Sequence, residues 1–145
     1  MNYFDEHTMM TAQDPAAAFA AALAERLECP IELEEGRAAL VFDDGQALEI
    51  AFTESEAAIV TPVPAAHGEL PEPVRRDLLR RNFPGEGLAG ASLCLRPDHD
   101  HLQLVNLLPL AGVTAETFAD YAVEQVNAAG LLAEEVKAAA AALSS

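Results

Sequence analysis

The sequence predicts an α+β domain in which helices pack on an antiparallel, twisted sheet. Two observations lead there. Apolar residues recur at helical spacing near both ends of the chain. Between them the period changes to two in several short runs, punctuated by turn residues and by one connection rich in proline and glycine.

Taken in order, residues 1–13 are polar and without period, which predicts a loose tail ahead of a single domain over 14–143. Asp14-Pro15 reads as an N-cap followed by proline at the first helical position. Phe19, Leu23 and Leu27 then fall on one helical face, and Pro30 stops the helix. From residue 31 apolar and polar residues alternate: Ile31 and Leu33, then Ala38, Leu40 and Phe42, then Leu48, Ile50 and Phe52, then a run over 57–63. Asp43-Asp44-Gly45 is hairpin chemistry, because Asp and Gly tolerate positive φ. Pro62, Pro64, Gly68, Pro71 and Pro73 mark a connection to a short helix over 72–82, ended by Phe83-Pro84-Gly85. Strands return at 91–95 and 101–108. A long helix follows, capped by Thr114 or Thr117, with an apolar stripe of Phe118, Tyr121, Ala122, Val126 and Ala129. Gly130 is a point where it kinks or ends, with residues 131–143 continuing as helix. The predicted order is α-β-β-β-α-β-β-α.

Composition narrows the function. The 145 residues carry 24 acidic against 8 basic side chains, a net charge of −16. Such a surface repels phosphate backbones and anionic lipid, which argues against nucleic-acid and membrane partners. The 51% apolar content is too high for a disordered acidic chain. The longest apolar run, residues 16–24, is far short of the ~20 needed to span a bilayer, and it follows acidic rather than basic residues. Cys29 and Cys94 form no CxxC pair and read as core residues in a reducing cytoplasm.

Catalytic patterns are weak. Asp98-His99-Asp100-His101 is the best metal candidate, but neighbouring turn residues diverge and His67 lies on a distant connection. Gly85–Gly90 matches GxGxxG as a string, yet it follows a helix and precedes a strand, the reverse of a dinucleotide site. No serine or cysteine has an activating neighbour. The expectation is a protein without cofactor, metal or catalytic residues. The arginine cluster Arg75, Arg76, Arg80 and Arg81 is more informative. A basic helix in an acidic chain attracts a second acidic copy, and arginine suits interfaces better than lysine.

With these features in place, the chain resembles the class I type III secretion chaperones, the Tir-chaperone family, over about residues 16–135. The resemblance rests on Leu23–Leu27 leading into Ile31–Leu33 and Ala38–Phe42, and on Leu78-Leu79-Arg80-Arg81-Asn82-Phe83, which is similar to the family's LLxxN helix end. The strands Ala91–Leu95 and Leu102–Leu104, and Phe118–Ala122 with Val126 in the last helix, complete it. The resemblance implies a cytoplasmic bacterial homodimer without enzymatic activity that holds the N-terminal segment of a secreted effector in extended form. It implies effector contacts at Phe19, Leu23, Leu27, Ile31, Leu33, Leu40, Val41 and Ile59. The arginine helix and its apolar neighbours give the expected dimer interface: Val74, Arg75, Leu78, Leu79, Phe83 and Leu93. A secretion ATPase or sorting component is the further partner the resemblance brings in. Two other readings stand beside it: a module of the same fold that sequesters a transcriptional regulator or another chaperone, and a small enzyme or metal-binding protein.

Overall fold

The computed structural model describes residues 15–63, 71–82, 88–95 and 101–144. They form α1 (Pro15–Leu27), β1 (Arg37–Val41), β2 (Ala47–Phe52), β3 (Glu56–Pro62), α2 (Glu72–Arg80), β4 (Ser92–Leu95), β5 (Leu102–Pro109) and α3 (Ala115–Ser144). A 3-10 turn, Leu110–Gly112, leads into α3. The strands make one sheet in the order β1-β2-β3-β5-β4, antiparallel throughout. The predicted order of elements is the observed one.

Local chemistry accounts for the joints. The β1–β2 hairpin closes through the Phe42 and Gln46 backbones, and Gly45 takes a φ of +90° that suits glycine. Thr114 caps α3: its Oγ1 accepts from the Thr117 amide at 3.1 Å. The helix runs unbroken through Gly130. That glycine answers a close approach, since a Cβ there would overlap the Gln46 amide from the hairpin turn. The alternation at Ile31 and Leu33 forms no strand. Glu35 and Gly36 adopt positive φ and turn the chain, so residues 31–33 leave the sheet after a single Glu34–Arg37 bridge. The side chains of Ile31 and Leu33 are instead half-buried against the core beneath α1. Asp14, the predicted cap, and the 1–13 tail lie outside the described residues.

One face of the sheet carries the helices, and its apolar residues fall into two clusters strung along α3. Around α1 the cluster is aromatic: the Phe118 ring lies 5.0 Å from Phe19 and 5.5 Å from Phe52. Leu23, Leu48, Ile50 and Ile59 complete it. Around α2 the cluster is aliphatic, built from Val74, Leu78, Leu93, Leu102, Leu104, Leu132 and Val136. Between them lies a polar seam with one residue from each of three elements, Thr61, Asn106 and Gln125, all buried. Gln125 Nε2 donates toward the carbonyls of Ile59 (2.9 Å) and Leu104 (3.0 Å) and toward Thr61 Oγ1 (3.2 Å). A helix side chain thus ties β3 to β5, and a buried donor so engaged is costly to remove. Two ion pairs hold the smaller helices to α3. Arg26 of α1 pairs with Asp120, and Arg81 grips Glu135 with both guanidinium nitrogens, at 2.8 and 3.3 Å.

Candidate functional site

A sheet of this kind has two outer strands, here β1 and β4, and each presents main-chain groups that a further strand could use. The hydrogen-bond pattern of β1 is fixed at its ends. The Phe52 amide donates to Gly36, and the Phe42 amide to Gln46. Antiparallel pairing alternates. Ala38 and Leu40 therefore face β2, while Arg37, Ala39 and Val41 turn their N–H and C=O groups outward. Glu34 already exchanges both bonds with Arg37, at 2.8 and 3.0 Å. Among the described residues, the outward groups of Ala39 and Val41 are what the β1 edge leaves unpaired. Val41 also shows 78% of its surface to solvent, an unusual exposure for a valine in a strand.

The β4 edge is different. Leu93 turns outward, but the Asn82 side chain meets it on both groups. Asn82 Oδ1 accepts from the Leu93 amide at 2.6 Å, and Nδ2 donates to the Leu93 carbonyl at 2.9 Å. The Ala91 amide is bonded to the Leu88 carbonyl at 2.9 Å. A single asparagine at the end of α2 imitates a neighbouring strand and closes the centre of this edge.

The side chains expected to form the site divide by burial. Phe19, Leu23 and Ile59 lie in the aromatic cluster, with Leu23 and Ile59 fully covered by the chain's own residues, so they support the site from beneath rather than lining it. Their spacing marked an apolar face, which α3 covers. Leu27, Ile31, Leu33 and Leu40 are half-buried at the margin of that cluster, beside the β1 edge. They form the partly open apolar margin on the helix-bearing side of the sheet, while Val41 alternates with Leu40 and points to the opposite face. Acidic residues flank it: Glu32, Glu34 and Glu35 before β1, and Asp43 and Asp44 after it, all exposed.

The residues expected at a dimer contact divide likewise. Val74, Leu78 and Leu93 are buried in the aliphatic cluster of the single chain, because α2 must cover β4 and α3. Only Arg75 and Leu79, half-buried, offer surface, and Phe83 lies outside the described residues. Two of the four clustered arginines are engaged within the chain, Arg76 with Glu72 and Arg81 with Glu135. The edge role of Asn82 was not legible in the sequence. The residue stands where a helix ends, but nothing local names Leu93 as its partner. The Gln125 seam was missed for the same reason.

Among the described residues, no three His, Cys, Asp or Glu side chains gather as a metal site. Of the predicted metal candidates, His101 is exposed, and Asp98, His99, Asp100 and His67 lie outside the described residues, as does most of the Gly85–Gly90 run. No described helix is long and apolar enough to cross a membrane.

Comparison with known proteins now bears on this geometry. The model of the Tir chaperone protein (CesT) family matches residues 18–132, from α1 through the seam and past the middle of α3. The chain belongs to this family. Its fold is that of solved members of the type III secretion chaperone group. The Yersinia pestis chaperone SycH, solved with a fragment of YscM2, superposes with a TM-score of 0.62 at 22% identity, covering 81% of this chain and 98% of that one. SpcU, solved with ExoU from Pseudomonas aeruginosa, gives 0.61 at 17% identity, covering 79% and 94%. The HopA1–SchA chaperone–effector complex gives 0.65 at 15% identity, covering 81% and 92%. A comparison with curated protein sequences finds no match. As a member of the Tir chaperone family, the chain is a chaperone.

Proposed function

We propose that this chaperone holds the N-terminal segment of a secreted effector in extended form and keeps it soluble and competent for type III secretion. It works as a homodimer in the bacterial cytoplasm and makes or breaks no covalent bond. The observation that carries this reading is the open β1 edge. Ala39 and Val41 offer main-chain donors and acceptors, and Leu27, Ile31, Leu33 and Leu40 stand beside them as an apolar margin. A client strand added there gains main-chain hydrogen bonds, each worth about 1 kcal/mol net, and selectivity from alternate side chains. The acidic flanks steer a basic client inward and keep the apolar margin soluble before it is covered. Arg75 and Leu79 on the outer side of α2 are the dimer contact this reading retains, with Leu79 the apolar anchor.

Deleting the gene in its native bacterium tests the reading. One or a few proteins should disappear from the secreted fraction, and their labelled leader segments should bind the purified chain. An unchanged secreted set, together with a DNA-binding regulator recovered on the chain, would replace the escort role with sequestration.

A further inference from the structure

Gln46 stands where the β1–β2 hairpin meets α3. Its backbone closes the hairpin: its carbonyl accepts from the Phe42 amide at 2.8 Å, and its amide donates to Asp44 Oδ1 at 3.0 Å. Its side chain leaves the turn and lies against α3 at Gly130. The amide carbon and oxygen sit 3.5 and 3.9 Å from the point a Cβ of residue 130 would occupy, and the amide nitrogen sits closer still. Gly130 lies inside a helix of 30 residues, where glycine is the least favourable residue after proline. The helix neither ends nor breaks there, so helix geometry does not call for glycine. What occupies the space of its missing side chain is Gln46.

We propose that Gln46 and Gly130 are positioning residues for the client strand. Together they seat the tip of the hairpin on α3 and hold the Val41 end of the β1 edge in place before a strand arrives. The inference rests on the chaperone reading above and adds what presets that edge. Val41 is paired with Ala47, the residue after Gln46, and is followed by Phe42, which is bonded to Gln46. A displacement of Gln46 therefore reaches the open main-chain groups of Val41 without passing through another element. The fold does not depend on this contact, because Leu40, Phe42 and Leu48 already pack the hairpin into the aromatic cluster. The contact acts on the tip alone. An edge that is already positioned loses less freedom when a strand is added, which strengthens binding without any new contact to the client.

The test uses the full chain with Gly130→Ala and Gln46→Ala, alone and together. Gly130→Ala should raise the unfolding midpoint, since alanine favours the helix and the atom in its way is the free end of a flexible side chain. The same change should speed hydrogen exchange of the Phe42 amide severalfold, while the Phe52 amide, bonded to Gly36 at the far end of the hairpin, keeps its rate. The probe for binding is the fluorescein-labelled leader segment of the protein lost from the secreted fraction on gene deletion. Gly130→Ala should weaken its binding about fivefold, the scale of ordering one or two side chains. Stability and binding then move in opposite directions, which a merely structural role would not produce. Gln46→Ala should weaken binding by a similar factor, and the double change no further than either single one, because both remove one contact. Further weakening by Gly130→Ala in a chain already carrying Gln46→Ala would overturn the proposal. So would Phe42 exchange at the parent rate, or a midpoint that falls together with binding. If the leader binds the parent and Gly130→Ala chains alike, the positioning role falls and the chaperone reading stands. If no leader binds the parent chain, the chaperone reading fails first and the positioning role falls with it.

Discussion

The two edges of the sheet are built from the same backbone and left in opposite states. At β4 the centre is closed from within by Asn82, a side chain delivered by a helix whose Val74 and Leu78 are locked into the aliphatic core. At β1, among the described residues, Glu34 closes Arg37 alone, and Ala39 and Val41 stay open between acidic flanks. Exposed edges invite uncontrolled pairing, and proteins blunt them with charge, twist or cover. Here one edge is covered, while the other is flanked by carboxylates that discourage acidic copies of itself yet admit a basic strand. A binding edge differs from a structural one in what closes it, a partner's chain or its own.

The largest effect on this contrast should come from Leu78→Asp. An unpaired carboxylate in the aliphatic core costs on the order of 3–5 kcal/mol, and denaturant unfolding should show the loss. Leu79→Asp, at a half-buried position, should spare most of that stability and instead shift light scattering toward monomer. A dimer that survives Leu79→Asp removes α2 from the interface. Asn82→Ala comes next. It leaves both Leu93 groups without partners, for a loss of about 1–3 kcal/mol, and opens the second edge. Concentration-dependent association in sedimentation should accompany the lowered midpoint.

Ala39→Pro probes the opposite edge. Its amide points away from β2, so proline removes no ladder bond and stability should change by less than about 1 kcal/mol. Client-leader affinity should drop about tenfold or more. An unaltered affinity would place the client elsewhere. The smallest effect is that of salt. Raising ionic strength from about 0.05 to 0.5 M should slow association severalfold with little change in dissociation, because the acidic flanks act during approach. A flat association rate in stopped flow would remove steering from the account.

Much of the architecture was legible because its causes are local. Phe19, Leu23 and Leu27 declare a helix by spacing, Asp43-Asp44-Gly45 declares a hairpin, and the alternation in β2, β3 and β5 separates a core face from an outer face. The same rule misled at Ile31 and Leu33, where the alternating pattern is real but the positive φ of Glu35 and Gly36 turns the segment out of the sheet. It was equally blind to degree of burial. Leu23 and Leu27 look alike on a helical face, yet α3 covers one and leaves the other at the margin.

By itself the sequence determined the order of elements, the acidic character and the absence of a long apolar span, since composition and period act residue by residue. The tertiary structure decided which edge is open, which apolar residues remain at the surface, and that Gln125 and Asn82 each serve a strand far away in the chain. Those outcomes depend on pairings across tens of residues, and a side chain's partner in such a pairing is set by the packing of whole elements rather than by its neighbours in sequence.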